Sequence, residues 1–290
     1  MVKKAVIPAA GFGTRFLPAA KAVPKEMLPV VDKPVIQYVV EEAVASGITD
    51  LVLVISRGKR AIEEHFDRHA ELEALLEARG RGSEAAALRR ISEQATIHYV
   101  FQPQMRGLGD AVRCARRHVG DEPFAVLLGD TILEAAQAAT RQLMEVFGRC
   151  GTSVVAVEEV PLERVSRYGV IRGEALDERV WRVDDMVEKP SPAEAPSRLA
   201  VCSRYLLTPD IFDKLDRTPA GKGGEIQLTD ALRMQARERP IHACRIEATR
   251  HDIGNAAGFL QANLQLALAR PDLREAVLAM LRDLSPESRE

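Results

Sequence analysis

The run Ala9-Ala10-Gly11-Phe12-Gly13-Thr14-Arg15 has the make-up of a phosphate-binding loop. Glycine lets a backbone turn tightly and bring its N–H groups against anionic oxygens. Arg15 supplies a planar fork of donors. Ten residues on, Lys25 supplies a point charge within Pro24-Lys25-Glu26-Met27-Leu28-Pro29. The loop is not a P-loop, because no Gly-Lys-Ser/Thr follows, and Phe16 stands where a dinucleotide fingerprint has its third glycine. The residues alone leave two readings open: a polyphosphate clamp, or an ordinary turn with solvated cations. Asp130, in Gly129-Asp130, and Asp252, in His251-Asp252-Ile253-Gly254, are acids placed just after apolar runs. Mg²⁺ is commonly held by one or two carboxylates plus phosphates. A lone Asp before a loop more often caps a helix. His65 and His69 have a spacing that can chelate metal, but Phe66 stands where the HExxH motif needs Glu, so no metal is expected there.

Such chemistry needs a scaffold that offers loops at strand ends. Apolar runs at 5–10, 51–55, 97–102 and 124–128 read as strands. Pro34 is placed to open a helix over 35–46, and Gly47 to close it. The charged stretch 61–90 reads as mostly helical with a break near 80–83, and 111–119 reads as a helix. Its outer charges fit a solvated face rather than a nucleic-acid patch. This alternation predicts a parallel-rich, doubly wound sheet. Ligands of such sheets lie at the carboxyl ends of the strands, where the Gly11 loop and Asp130 both fall. Further on, 154–158, 170–172, 181–188, 200–207 and 241–246 read as strands and 225–238 as a helix. The stretch 256–284 reads as helical, broken at Pro271. There is no internal repeat, and the linker-like segment 190–196 is too short to separate free domains.

The chain has 290 residues, 46% of them hydrophobic, enough for a sizeable core. A net charge of −2 gives no reason to expect nucleic acid or an anionic membrane as partner. Cys114, Cys150, Cys202 and Cys244 are far apart and form no CxxC pair, which argues against a disulfide framework and for a reducing compartment. The start of the sequence is too briefly apolar for a signal segment or a membrane span, so a cytoplasmic protein is expected.

Taken together, Gly11-x-Gly-Thr-Arg, Pro18 and Pro24-Lys25-Glu26-Met27-Leu28-Pro29 resemble the signature of the sugar-1-phosphate nucleotidyltransferases. The continuation through residues 30–41, with His65-Phe66-Asp67, Gly107-Leu108-Gly109, Glu188-Lys189-Pro190, the run 224–230 and Asp252-Ile253-Gly254-Asn255, resembles the bacterial branch that joins UTP to glucose 1-phosphate. The resemblance covers nearly the whole chain. It implies a Rossmann-like, three-layer α/β/α nucleotidyltransferase fold with a mixed, mostly parallel sheet and C-terminal helices. Residues 1–290 would form one domain: a nucleotide-binding half (1–135), a sugar-phosphate half (136–255) and a helical segment (256–290).

The resemblance also implies roles. Asp130 and Asp252 would hold Mg²⁺. Arg15, Lys25 and Lys189 would be catalytic, the first two on the leaving pyrophosphate and the third on the sugar phosphate. Ala9, Ala10, Gly11, Gly13, Thr14 and Glu26 would line the nucleotide. Gln102, with the Gly107 and Gly109 backbone, would read uracil. Glu188, the Gly169 backbone and Val201 would hold the sugar. The product would be UDP-glucose, and the assembly a homodimer or homotetramer. Alternatives are a thymidylyltransferase, another sugar specificity, a nicotinamide-dependent oxidoreductase, or a regulatory protein that binds nucleotide sugars. Three positions depart from the family pattern: Thr131 where a second Asp often stands, Asp110 where His is frequent, and Ser203 where Gly is usual.

Overall fold

Residues 2–284 are described by a computed structural model. Expectations for residue 1 and for 285–290, the end of the helical segment, lie outside the described residues. The chain opens with β1 (Lys4–Pro8), a small hairpin of β2 (Pro29–Val30) and β3 (Lys33–Pro34), and α1 (Val35–Ala45). Then come β4 (Asp50–Ile55), α2 (Arg60–Phe66), α3 (Ala70–Ala78), α4 (Gly82–Glu93) and β5 (Thr96–Phe101). Next are α5 (Leu108–Cys114), α6 (Arg116–Val119), β6 (Phe124–Leu127), β7 (Thr131–Glu134) and α7 (Ala139–Cys150). The second half holds β8 (Val154–Glu159), β9 (Gly169–Ala175), β10 (Val180–Glu188), β11 (Leu199–Leu207), α8 (Ile211–Arg217) and α9 (Leu228–Glu238). It ends with β12 (Ile241–Arg245), β13 (Thr249–Asp252), α10 (Ala256–Ala269) and α11 (Pro271–Leu284).

A nine-stranded sheet in the order β5-β4-β1-β6-β11-β8-β12-β10-β9 forms the centre. β5, β4, β1 and β6 are mutually parallel, and within the sheet β10 and β11 run against the rest. Alternation along the strands sends side chains to two cores. Ala5, Ile7, Leu51, Leu53 and Leu127 pack with α1 and α7 on one face. Val6, Val52, Val54, Phe124 and Val126 pack with α5, α8 and α9 on the other. Two buried faces explain why these strands read as continuous apolar runs, and they give the expected α/β/α layering.

Pro34 precedes α1 as expected, and Gly47 takes the left-handed conformation (φ 86°) just after it. The 61–90 stretch breaks twice rather than once. His69 accepts from the Leu72 amide and starts α3 afresh, while α4 starts at Gly82. The 111–119 helix begins earlier, at Leu108, and is divided at Ala115. Four short strands went unforeseen, β2 and β3 of the hairpin and two more. β7 and β13 form their own antiparallel ribbon, with Asp252 opposite Thr131. α10 lies over this ribbon and the hairpin, where Ala262 joins Val30, Val35, Ile132 and Ile253 in a small separate core.

Candidate active site

The phosphate-type loop is rooted by two bonds. The Ala9 amide donates to Val54 O at 2.8 Å, and Ser56 Oγ donates to Ala10 O at 2.7 Å. Ala9 and Ala10 are buried, whereas Gly11 and Phe12 face outward. Gly13 sits at φ 67°, and a Cβ there would come within 3.2 Å of Lys25 Cβ. Glycine therefore lets the loop close over the Lys25 stem. Thr14 and Arg15 begin a single tight turn, and Phe16 packs edge-on against Phe259 of α10 with centroids 5.9 Å apart. The residue that breaks the dinucleotide fingerprint thus ties the loop to the C-terminal helices. Glu26 turns inward and pairs with Lys59 at 2.7 Å. Burial pushes the Glu26 carboxyl up despite the Lys59 and Lys25 ammoniums.

Asp130 follows the end of β6, and the β7–β13 register sets Asp252 opposite the next residue, Thr131. Lys25 Nζ lies 2.5 Å from Asp130 Oδ2. Burial opposes both charges, but the pair outweighs it: Lys25 sits above its usual value and Asp130 below. Arg15 adds to the field on Asp130, and its Nη1 donates to Gly254 O at 3.5 Å. Asp252 Oδ1 accepts from the Gly254 amide at 2.9 Å. A Cβ on Gly254 would lie 2.8 Å from that oxygen and 3.2 Å from Arg15 Nη1, so glycine admits both. Two cations and two carboxylates predicted from separate motifs are thereby gathered at one strand end.

What holds this corner was not foreseen. Arg204, on β11, is 1% exposed and makes a two-pronged ion pair with the buried Glu42 of α1, with its closest N–O distance 2.6 Å. Its remaining donors go to Thr131 O (2.9 Å) and Ser203 O (3.0 Å). Glu42 also accepts from the Thr140 amide and hydroxyl. A buried ion pair needs its spare donors and acceptors satisfied, and this one pins the residue next to Asp130.

On the far side, Glu188 accepts from Thr229 Oγ1 at 2.6 Å and lies 3.1 Å from Lys189 Nζ. Lys189 takes a left-handed backbone (φ 48°), and its amide donates to Tyr168 O. A Cβ on Gly169 would meet the Thr229 hydroxyl at 2.8 Å, so Thr229 is one reason for the glycine. Arg250 links this group to the carboxylates. It donates to the Tyr168 hydroxyl at 2.8 Å and pairs with Glu158 at 2.6 Å, and Glu158 feels the Asp252 charge. Val201 is buried in β11, just before the pairing shift toward Tyr205. Thr229 lies in the run 224–230 but was given no role there, and Arg250 and Glu158 carried no motif that singled them out.

The third group surrounds Gln102. Its Nε2 donates to Asp110 Oδ2 at 2.8 Å and to Gly107 O at 3.3 Å. Asp110 is 2% exposed and also accepts from Arg106 and Arg113. Gly107 and Gly109 serve close packing: Cβ atoms there would lie 2.8 Å from Ile226 O. The Gly109 amide is itself spent on Ile226 O at 2.9 Å. A cavity of about 880 Å³ opens beside Gln102, lined by Phe12, Phe101, Pro103 and Met105 among others. Phe12 belongs to the Gly11 loop, so the cavity adjoins that loop. The two histidines act elsewhere: His65 meets Gln37 at 3.0 Å, and His69 caps α3.

Known proteins share this arrangement of sequence and fold. A protein of Bacillus subtilis (strain 168), named UTP–glucose-1-phosphate uridylyltransferase YngB, is 53% identical over 283 residues, covering 98% of this chain and 95% of the relative. A UTP-bound UGPase from Acinetobacter baumannii superposes with a TM-score of 0.91 at 38% identity, over 98% of this chain and 100% of that one. A UDP-glucose pyrophosphorylase complexed with UDP-glucose superposes with a TM-score of 0.86 at 46% identity, over 93% of this chain and 100% of that one. The family model for nucleotidyl transferases matches residues 4–268. The chain belongs to the nucleotidyl transferase family.

Proposed function

We propose that this protein transfers the uridylyl group of UTP to glucose 1-phosphate, giving UDP-glucose and pyrophosphate. The observation that carries the reading is the cluster of Arg15, Lys25, Asp130 and Asp252 at the mouth of the Gly11 loop. A site that only bound a sugar nucleotide would not need paired carboxylates there. The relatives' names supply the substrates.

A phosphate oxygen of glucose 1-phosphate attacks the α-phosphorus in line, and the bond to the bridging oxygen breaks as pyrophosphate leaves. Such transfers need positioning and charge neutralisation more than a covalent nucleophile. Arg15 and Lys25 neutralise the leaving pyrophosphate. Lys189 holds the incoming phosphate and offsets repulsion between two anions. Glu188, oriented by Thr229, accepts from sugar hydroxyls, with Gly169 and Val201 beside it. Gly11, Gly13 and Thr14 offer backbone donors to phosphate, on a base fixed by Ala9, Ala10 and the Glu26–Lys59 pair.

Nucleotidyl transferases generally use a divalent metal ion. The residues here fit Mg²⁺, since carboxylate oxygens are its preferred protein donors and Asp252 lies opposite the residue that follows Asp130. Asp130 and Asp252 would hold it, and it would supply further charge neutralisation on the phosphates. Lys25, now paired with Asp130, would then be free to turn to phosphate. Gln102 reads the base. Asp110 accepts from Arg106 and Arg113 as well, and the Gln102 atom facing it is Nε2. That leaves Oε1 as an acceptor suited to the N3–H of uracil.

The nucleotide half (1–135), sugar-phosphate half (136–255) and helical segment (256–290) are part of the same proposal, as are a cytoplasmic location and a homo-oligomer. Among the described residues no helix is long and apolar enough to cross a membrane. Leu260, Met280 and Leu284 on α10 and α11 are exposed, a face on which a second copy could pack. The test mixes the purified protein with Mg²⁺, UTP and glucose 1-phosphate. Pyrophosphate and UDP-glucose should form in equal amounts. No pyrophosphate release with any pairing of common triphosphates and sugar 1-phosphates would reject the enzymatic reading.

A further inference from the structure

We propose that Asp50, His98 and His118 bind one zinc-class divalent transition-metal ion, at the end of the sheet opposite the Gly11 loop. The topology brings them together. Asp50 opens β4, and Val52 pairs with His98 of the edge strand β5. Asp50, Val52 and His98 therefore share one face of the sheet. It is the face covered by α5 and α6, where Val119 packs, and His118 precedes Val119. One ligand atom from each residue lies within 4.8 Å of the other two.

The spacing is compatible with a shared ion as well as with hydrogen bonding. His118 Nε2 is 3.1 Å from Asp50 Oδ1, which a hydrogen bond would explain. His98 Nε2 lies 3.7 Å from the same oxygen, too long for one. A tetrahedral ion with bonds of about 2.0–2.1 Å separates its ligand atoms by about 3.3 Å, between those two distances. Two imidazoles and a carboxylate suit zinc, nickel or copper, and disfavour Mg²⁺, which wants oxygen donors. The ion has a way in, since the His98 side chain is 44% exposed. The nearby Lys4 ammonium is balanced by Glu122 at 2.6 Å. Three ligands leave room for water. Their origin on β4, β5 and α6 makes the site a staple for the sheet edge, not a second reaction centre.

The test uses tag-free, chelator-stripped full-length protein titrated with zinc chloride, with bound metal counted and melting followed. The expected result is one zinc per chain dependent on His98, with a melting temperature raised several degrees by excess zinc. His98→Ala and His118→Ala should each remove that ion and that rise. His98 lies at a half-open edge, so its variant should fold. Millimolar Mg²⁺ should not displace the zinc. Zinc held by the cysteines or by the Asp130–Asp252 pair would persist in both variants. Unchanged stoichiometry and unchanged melting response in His98→Ala would overturn the proposal, as would no zinc retained at micromolar concentration.

Discussion

Thr131 Oγ1 donates to Ser203 Oγ at 3.1 Å, in a buried contact between β7 and β11. The resemblance expects a different residue at each position, and the bond joins the two. Ser203 holds a left-handed backbone (φ 66°) in which glycine would be unstrained, while its carbonyl accepts from the Leu128 amide and Arg204. Its hydroxyl oxygen accepts from Thr131. Ser203→Gly should lose a hydrogen bond of about 1 kcal/mol and regain a comparable amount from relieved strain. Urea unfolding should shift by less than about 1 kcal/mol. The ratio of kcat/KM among glucose, galactose and mannose 1-phosphates should not change. A changed ratio would mean that the hydroxyl faces the sugar after all.

Asp130→Asn should fold normally, because Thr131 is held by Arg204 through main chain and the strand register is unaffected. Activity should fall at least about a hundredfold, since a neutral amide is a poor Mg²⁺ ligand and no longer balances Lys25. Circular dichroism and pyrophosphate release on one sample decide it. Near-normal turnover would remove Asp130 from the chemistry.

Arg15→Ala should slow the chemical step more than it weakens UTP binding. Charge builds on the leaving pyrophosphate only as the bond breaks, and losing one such donor costs about 10²–10³ in rate. Single-turnover rates at saturating UTP separate the two effects. An unchanged rate with weaker affinity would make Arg15 a binding residue alone.

The candidate clamp stood out because Gly11, Gly13, Arg15 and Lys25 lie within one short run, but residue type and spacing left an ordinary turn open and the resemblance chose between them. Asp130 was legible as the end of an apolar strand. Its meeting with Asp252 rested on resemblance, because strands as short as β7 and β13 leave no clear period-two pattern. Glu42 and Arg204 are 162 residues apart and look like ordinary surface charges in sequence. Only packing shows that they meet in the core. Asp110 was visible as an oddity, but its grip on Gln102 depends on how α5 starts after Gly107.

The Glu42–Arg204 pair should matter for stability more than its exposed counterparts. Removing one member strands the other as a buried charge, which typically costs about 3–5 kcal/mol. Arg204→Met and Glu42→Leu should each lower unfolding free energy by about that much. The double variant should lose less than the sum, because neither charge is then left alone. Strict additivity in denaturant unfolding would show that the two do not act as a unit.

Asp110→Asn should loosen the choice of base. In the native protein, Asp110 accepts from Gln102 Nε2, Arg106 and Arg113, which fixes Nε2 on Asp110 and, on the proposed reading, leaves Oε1 for the base. Uracil offers an N3–H to that oxygen, whereas cytosine offers a lone pair and is repelled. An asparagine can present either oxygen or NH₂, so the Gln102 amide gains freedom to flip. Sites built around one hydrogen-bond pattern lose discrimination when the pattern is unlocked. The expected result is a drop of roughly tenfold or more in the ratio of kcat/KM for UTP over CTP, larger than any fall due to general damage. Because both substrates meet the same clamp and sugar site, a purely structural defect would lower both values and leave the ratio alone. An unchanged ratio in a well-folded variant would show that the amide is oriented by something other than Asp110. Loss of UTP preference in Gln102→Ala, measured alongside, would still establish Gln102 as the base reader.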